Sequence, residues 1–172
     1  MPNEDRYQTA TQIGEIGVNL VATQLILKSR GRLSPFNPMA DDGRINLIIH
    51  DKETGRSFAI QVISRTETVL RDGKRSNNLH FEVPDATFNP IRDGYLLAIY
   101  FEPFSEQNDV KRAWIVPMTE LTEVMTEYES ANKIFRMRPN YTAESKDNFT
   151  GYRYKGLREV CSKLIRRFDI GT

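Results

Sequence analysis

One cysteine, Cys161, excludes an intramolecular disulfide and any four-cysteine zinc site. Only two histidines are present, His50 and His80, and they lack the i, i+4 type of spacing that would bring two imidazoles to one zinc ion. No window approaches the ~18 consecutive apolar residues of a membrane span. The opening MPNEDRYQTA has no apolar secretory segment, so the expected compartment is the cytoplasm. No sign of charge dominates either: 24 Lys and Arg against 23 Asp and Glu leave a formal charge of +1. Any affinity for nucleic acid must then come from a local patch rather than from bulk charge. Low-complexity runs, internal repeats and linker-like stretches are all missing. What is there, 39% hydrophobic and 27% charged residues in a chain of 172, is the composition of a soluble globular protein. The length suits one domain over residues 1–172, long enough to bury a core without staples.

The hydrophobic pattern reads as helix, sheet, helix. Thr9 or Thr11 can cap a helix running to about Arg30, and Gly31 stops it. A short strand over Arg32–Phe36 follows, then Asp41–Asp51, the turn Lys52-Glu53-Thr54-Gly55, and a strand over Ser57–Arg65. Alternation in that last strand places Phe58, Ile60 and Val62 on one face and Ala59, Gln61, Ile63 and Arg65 on the other. Leu79–Val83 is a further strand. Tyr95-Leu96-Leu97-Ala98-Ile99-Tyr100-Phe101 is apolar on both faces, which places it mid-sheet. Ala113-Trp114-Ile115-Val116 is stopped by Pro117, and a helix is expected from about Thr119 with Leu121, Val124, Met125 and Tyr128 on one side. The last helix, about Lys155–Phe168, carries Leu157, Val160, Cys161, Leu164, Ile165 and Phe168 on its apolar stripe, where Cys161 reads as a packed thiol.

Within the first helix, Glu15 projects in nearly the same direction as Val18, Ala22, Leu25 and Ile26. Two readings follow. A partly buried carboxylate needs a cation, a metal or hydrogen-bond donors to meet it. Alternatively, Glu15 lies in the first turns, where the helix dipole favours an acid and water solvates it.

Three pieces then stand in order: GEIG with Glu15, DDGRINLII ahead of and into a strand, and FAIQVISR on the next strand. Together they resemble the restriction-endonuclease-like PD-(D/E)XK nucleases, in particular small prokaryotic nuclease-like domains related to Holliday-junction resolvases and to some homing endonucleases. The resemblance extends from Gly14 to about Pro117. It implies an α/β, restriction-endonuclease-like three-layer fold with a central mixed β-sheet flanked by helices. It also implies a helix glutamate, an aspartate leading a strand, and an acid or glutamine two residues before a lysine. Position by position, Glu15 matches the helix acid, Asn46 occupies the aspartate position, Gln61 the acid-or-glutamine position and Ile63 the lysine position.

In such a site carboxylates hold hard Mg²⁺ while phosphate and water complete its shell, and an ammonium stabilises developing charge. Here Asn46 and Gln61 offer neutral oxygens, Ile63 offers nothing, and the matched set contributes only the charge of Glu15. Arg65 shares the strand face of Gln61 and supplies a cation from a shifted position, although it cannot act as a base. Asp42, beside Asp41, is a replacement ligand or simply part of an Asp-Asp-Gly turn. The expected site is therefore Glu15, Asn46, Gln61 and Arg65 in one pocket, with Glu15, Asp42 and Gln61 as metal ligands only if the protein is active. The cofactor is then either none or Mg²⁺ (Mn²⁺).

Arg71, Lys74 and Arg75 in the polar loop, together with Arg153 in a segment that interleaves cations and aromatics, are the candidate contacts to DNA or another nucleic acid. The leading reading is a nuclease-fold protein with a degenerate metal site that binds nucleic acid or regulates, with little or no cleavage. An active Mg²⁺-dependent endonuclease with migrated residues and a non-catalytic interaction or homo-oligomerisation module are the alternatives.

Overall fold

The computed structural model describes residues 9–39, 45–87, 93–103 and 109–170. Helix α1 (Ala10–Lys28) begins on a capping box: the Gln12 N–H donates to Thr9 Oγ1 at 3.2 Å and the Thr9 N–H donates to Gln12 Oε1 at 2.9 Å. Gly31, at φ +82°, turns the chain after it. The strands that follow are β1 (Leu33–Phe36), β2 (Leu47–Asp51), β3 (Ser57–Arg65), the short pair β4 (Leu70–Arg71) and β5 (Lys74–Arg75), β6 (Phe81–Pro84), β7 (Gly94–Phe101) and β8 (Val110–Pro117). A 3-10 turn over Met118–Glu120 leads into α2 (Leu121–Val124), then β9 (Glu127–Glu129), β10 (Ile134–Met137), β11 (Arg153–Tyr154) and α3 (Leu157–Ile170).

The central sheet runs β1-β2-β3-β7-β8-β11 and is mixed, because β3 and β7 are parallel while the other neighbours are antiparallel. Every residue of β7 is buried, as a doubly covered central strand requires. One face, with Phe58, Ile60, Val62, Leu97 and Ile99, is covered by α1 and α3. The opposite face, with Leu96, Ala98, Tyr100, Trp114 and Val116, is covered by the three-stranded sheet β6-β10-β9 and by the segment from Met118 through α2. The expected central mixed sheet with flanking helices is what the chain forms, although much of the second covering layer is β-structure.

Helix α1 lies close on β3 at a glycine: a Cβ at Gly17 would sit 2.5 Å from Ser64 Oγ, so only glycine permits that approach. The helix expected to carry Tyr128 is shorter than its apolar spacing implies. After one turn the chain extends, and β9 pairs with β10 so that Tyr128 lies opposite Phe135 with ring centroids 4.7 Å apart. Pairing along a sheet edge outweighs continuation of the helix there. No helix among the described residues is long and apolar enough to cross a membrane.

Candidate functional site

Two of the motif positions, Glu15 and Asn46, lie where β2 and β3 part. A cleft of about 490 Å³ opens there, bounded by Gly14 and Glu15 of α1, Asn37 and Pro38 after β1, and Ile45 and Asn46 ahead of β2. Glu15 is exposed at its edge. The buried stripe of α1 runs through Gly17, Val21 and Leu25, so partial burial of Glu15 does not occur and the solvated reading of its position holds. The period is helical as expected, but its phase is set by the Gly17–Ser64 contact rather than by Ala22 and Ile26.

Asn46 does not point a free oxygen into the cleft. Its Nδ2 donates to the Val62 carbonyl at 2.8 Å, and its Oδ1 accepts from the Val62 N–H at 2.7 Å. The amide thus imitates a peptide group and adds one rung to the β2–β3 ladder where the backbone of β2 diverges. An asparagine is required for that exchange, because a carboxylate has no donor for the Val62 carbonyl. Both polar groups of Val62 would otherwise be orphaned beside the core.

Gln61 and Arg65 lie on the other face of β3. Gln61 is buried and its Oε1 accepts from Thr87 Oγ1 at 2.6 Å. Ile63, between them, packs against the core on the side of β6 and Trp114. Arg65 donates from Nε to the His80 carbonyl at 2.8 Å and from Nη1 to the Ser64 carbonyl at 3.0 Å, with its guanidinium 5.9 Å from the centre of the Phe81 ring. The structure therefore brings Glu15 and Asn46 together and leaves Gln61 and Arg65 outside the cleft, so the expected convergence of four residues in one pocket is corrected. Alternation dictates this: Phe58, Ile60 and Val62 face α1, and the odd-numbered residues must face away. Asp42 lies outside the described residues.

Among the described residues Glu15 is the one carboxylate lining the cleft, and no group of three or more His, Cys, Asp or Glu side chains comes together in a way that could hold a metal ion. Among the described residues, one carboxylate and an amide already bonded to backbone fall short of the oxygen-rich, charged shell that Mg²⁺ or Mn²⁺ needs.

The basic candidates also divide. Arg71 and Lys74 are exposed on the two-stranded ribbon β4–β5. Arg75 is paired with Glu67 at 2.7 Å and donates to the Thr68 carbonyl at 2.8 Å. Arg153 donates to the carbonyls of Asn140, Ala143 and Ser145 at 2.9–3.1 Å, so its guanidinium clips the segment after β10.

The principal buried acid, Asp51 at the far end of β2, carries no expected role in the sequence. Arg32 grips both its oxygens, Nε to Oδ1 at 2.7 Å and Nη2 to Oδ2 at 3.0 Å, and Thr54 Oγ1 donates to Oδ2 at 2.7 Å. The guanidinium holds the Asp51 carboxyl well below the usual carboxylate range, and the carboxylates of Asp51 and Asp169 raise Arg32 in turn. Nothing in the linear pattern separates Asp51 from the turn residues beside it. The pairing with Arg32 arises only when β1 and β2 meet.

No family model matches the chain, and no curated protein matches it in sequence. Among solved structures it is similar to a bacterial homing endonuclease, I-Ssp6803I, with a TM-score of 0.61 at 14% identity over 95% of this chain and 96% of that one. The chain has a nuclease-like fold. The likeness runs the whole length of both chains, so it includes the layers on both faces of the sheet and not merely a shared hairpin.

Proposed function

We propose that this protein is a PD-(D/E)XK-type nuclease-fold domain that binds nucleic acid and cleaves it little or not at all. The observation that carries the reading is the paired hydrogen bond of Asn46 to Val62, because it gives the position of the missing aspartate a structural duty that only an amide performs. The same holds on the other strand: Gln61 is bonded to Thr87, and Ile63 is half-buried against the second core cluster. Binding is assigned to the exposed cations Arg71 and Lys74 on the β4–β5 ribbon, which would meet phosphates in water.

The open carboxylate of Glu15 in the cleft favours a second reading, an active endonuclease whose remaining ligands have migrated. Incubation of the protein with branched, duplex and single-stranded DNA in Mg²⁺ or Mn²⁺ separates the two. Binding with cleavage at background is the expected result. Metal-dependent cleavage that disappears in Glu15→Ala would replace the first reading with the second.

A further inference from the structure

A smaller pocket lies away from the cleft, between the β4–β5 ribbon and the three-stranded sheet. It is about 140 Å³ and is lined by Val69, Arg71, Asn78, Leu79, His80 and Arg138. At ~30 Å³ per water it has room for a few waters, or for one tetrahedral oxyanion. We infer that this pocket binds a phosphate group, held by Arg71 and Arg138 and by a hydrogen bond from His80.

Charge is the first support. Two guanidinium-bearing residues line the pocket, and Arg65 and Arg136 add positive charge around His80, against the carboxylates of Glu82, of Glu129 paired with Arg136 and of Glu127 paired with Arg138. Arg138 is paired with Glu127 at 3.2 Å, but both side chains are about half exposed, and such a pair is weak in water and open to exchange. Arg71 is exposed on β4, and its planar fork suits an oxyanion.

The second support is an orphan. His80 Nε2 is buried without a hydrogen-bond partner among the described residues, although buried polar atoms are ordinarily satisfied. A phosphate oxygen in the pocket would complete it.

The third support is linkage. Burial lowers the His80 imidazole from its ordinary value first, and Arg138, Arg136 and Arg65 lower it further, with Glu82 opposing them. Those groups, with Glu127 and Glu129 paired to Arg138 and Arg136 and with Arg71 across the pocket, are the charges around the imidazole among the described residues. The ring is therefore neutral near pH 7 in the empty protein. A phosphate anion reverses the local field and favours imidazolium, so binding takes up a proton and strengthens as pH falls toward 6.

The assignment rests on the nucleic-acid reading only for the source of the phosphate, which is either a polynucleotide backbone or free inorganic phosphate. The test follows the His80 imidazole resonances of the isotope-labelled full chain through a pH titration, alone, with inorganic phosphate and with a single-stranded oligonucleotide, at constant ionic strength. The expected result is a titration midpoint raised by about one unit or more with either ligand. Oligonucleotide affinity should fall in Arg71→Ala and in Arg138→Ala, each lowering the salt slope by about one. His80→Gln, which keeps a donor but takes up no proton, should bind with a flattened pH profile.

If the oligonucleotide binds but neither the midpoint nor the slopes move, the pocket is overturned and the nucleic-acid reading survives. If inorganic phosphate moves His80 and no oligonucleotide binds, the pocket stands and the nucleic-acid reading fails.

Discussion

The two ends of the hairpin β2–β3 each carry a polar side chain, and they use it in opposite ways. At the open end Asn46 is neutral, and its amide continues the ladder to Val62. At the turn end Asp51 is a fully buried carboxylate, gripped by Arg32 and by Thr54. The position where the linear motif lacks an acid and the acid that the fold buries lie five residues apart, one just ahead of β2 and the other at its end. Charge stands where Arg32 links the hairpin to α3, and a neutral amide stands where the strand ladder would otherwise lose a rung. Formal count of acids along a strand therefore says little about a site until the partner of each acid is known.

The largest effect that sharpens this contrast is expected at Asp51. Asp51→Ala should cost about 3 kcal/mol, measured by denaturant melts, because it removes the paired charge-assisted hydrogen bonds of a buried carboxylate and leaves the Arg32 guanidinium only the exposed carboxylates of Glu53 and Asp169. The pH dependence has a definite sign. The folded carboxyl lies below its ordinary value of ~3.9, so its contribution is complete above that value and is lost as pH falls through the lowered one. Asp51→Asn should flatten the acid limb of the stability curve.

Next comes the pair that the motif itself invites. Asn46→Asp with Ile63→Lys, which the linear resemblance would use to rebuild a metal site, is expected to lose stability without gaining metal. Asn46→Asp alone should cost about 1–3 kcal/mol through the unsatisfied Val62 carbonyl. Ile63→Lys adds an ammonium against an apolar cluster on the face away from Glu15. Melts that show the double variant more stable than Asn46→Asp would mean that the two positions do face one another.

A smaller loss, about 1 kcal/mol, is expected in Thr87→Val, which removes the donor to buried Gln61. The smallest concerns Glu15. Glu15→Ala should change stability by no more than about 0.5 kcal/mol, since the side chain is exposed. A large loss there would show that Glu15 is structural, like Asp51, and remove it from the candidate site.

Period-based features of the fold were legible in the sequence. The apolar run Tyr95–Phe101 places β7 in the middle of the sheet, and Thr9 with Gly31 brackets α1. The alternation of Phe58 to Arg65 already separates the two faces of β3, and the structure keeps that separation. What the pattern could not give was the direction of each face toward α1. Gly17 sets that direction by admitting Ser64, and a glycine contributes nothing to an apolar stripe.

At the site, the residue types at positions 46, 61 and 63 were readable as departures from the motif. Their duties were not, because the partners Val62, Thr87 and the Trp114 cluster come from pairing and from segments remote in the chain. The basic residues were legible as cations, while Arg153 became a backbone clip through contacts with its own loop. Arg138 and His80 drew no attention as a pair, because the second sheet alone brings them to one pocket.

The central claim is that the polar positions of the motif serve the fold rather than a metal ion. Calorimetric titration of the protein with Mn²⁺ tests it most directly, with Glu15→Ala and the Asn46→Asp, Ile63→Lys double variant measured alongside. The expected result is no saturable site tighter than about 1 mM in any of the three proteins, since the described residues of the cleft supply a single carboxylate. A stoichiometric, tighter site in the wild-type protein that is lost in Glu15→Ala would contradict the account.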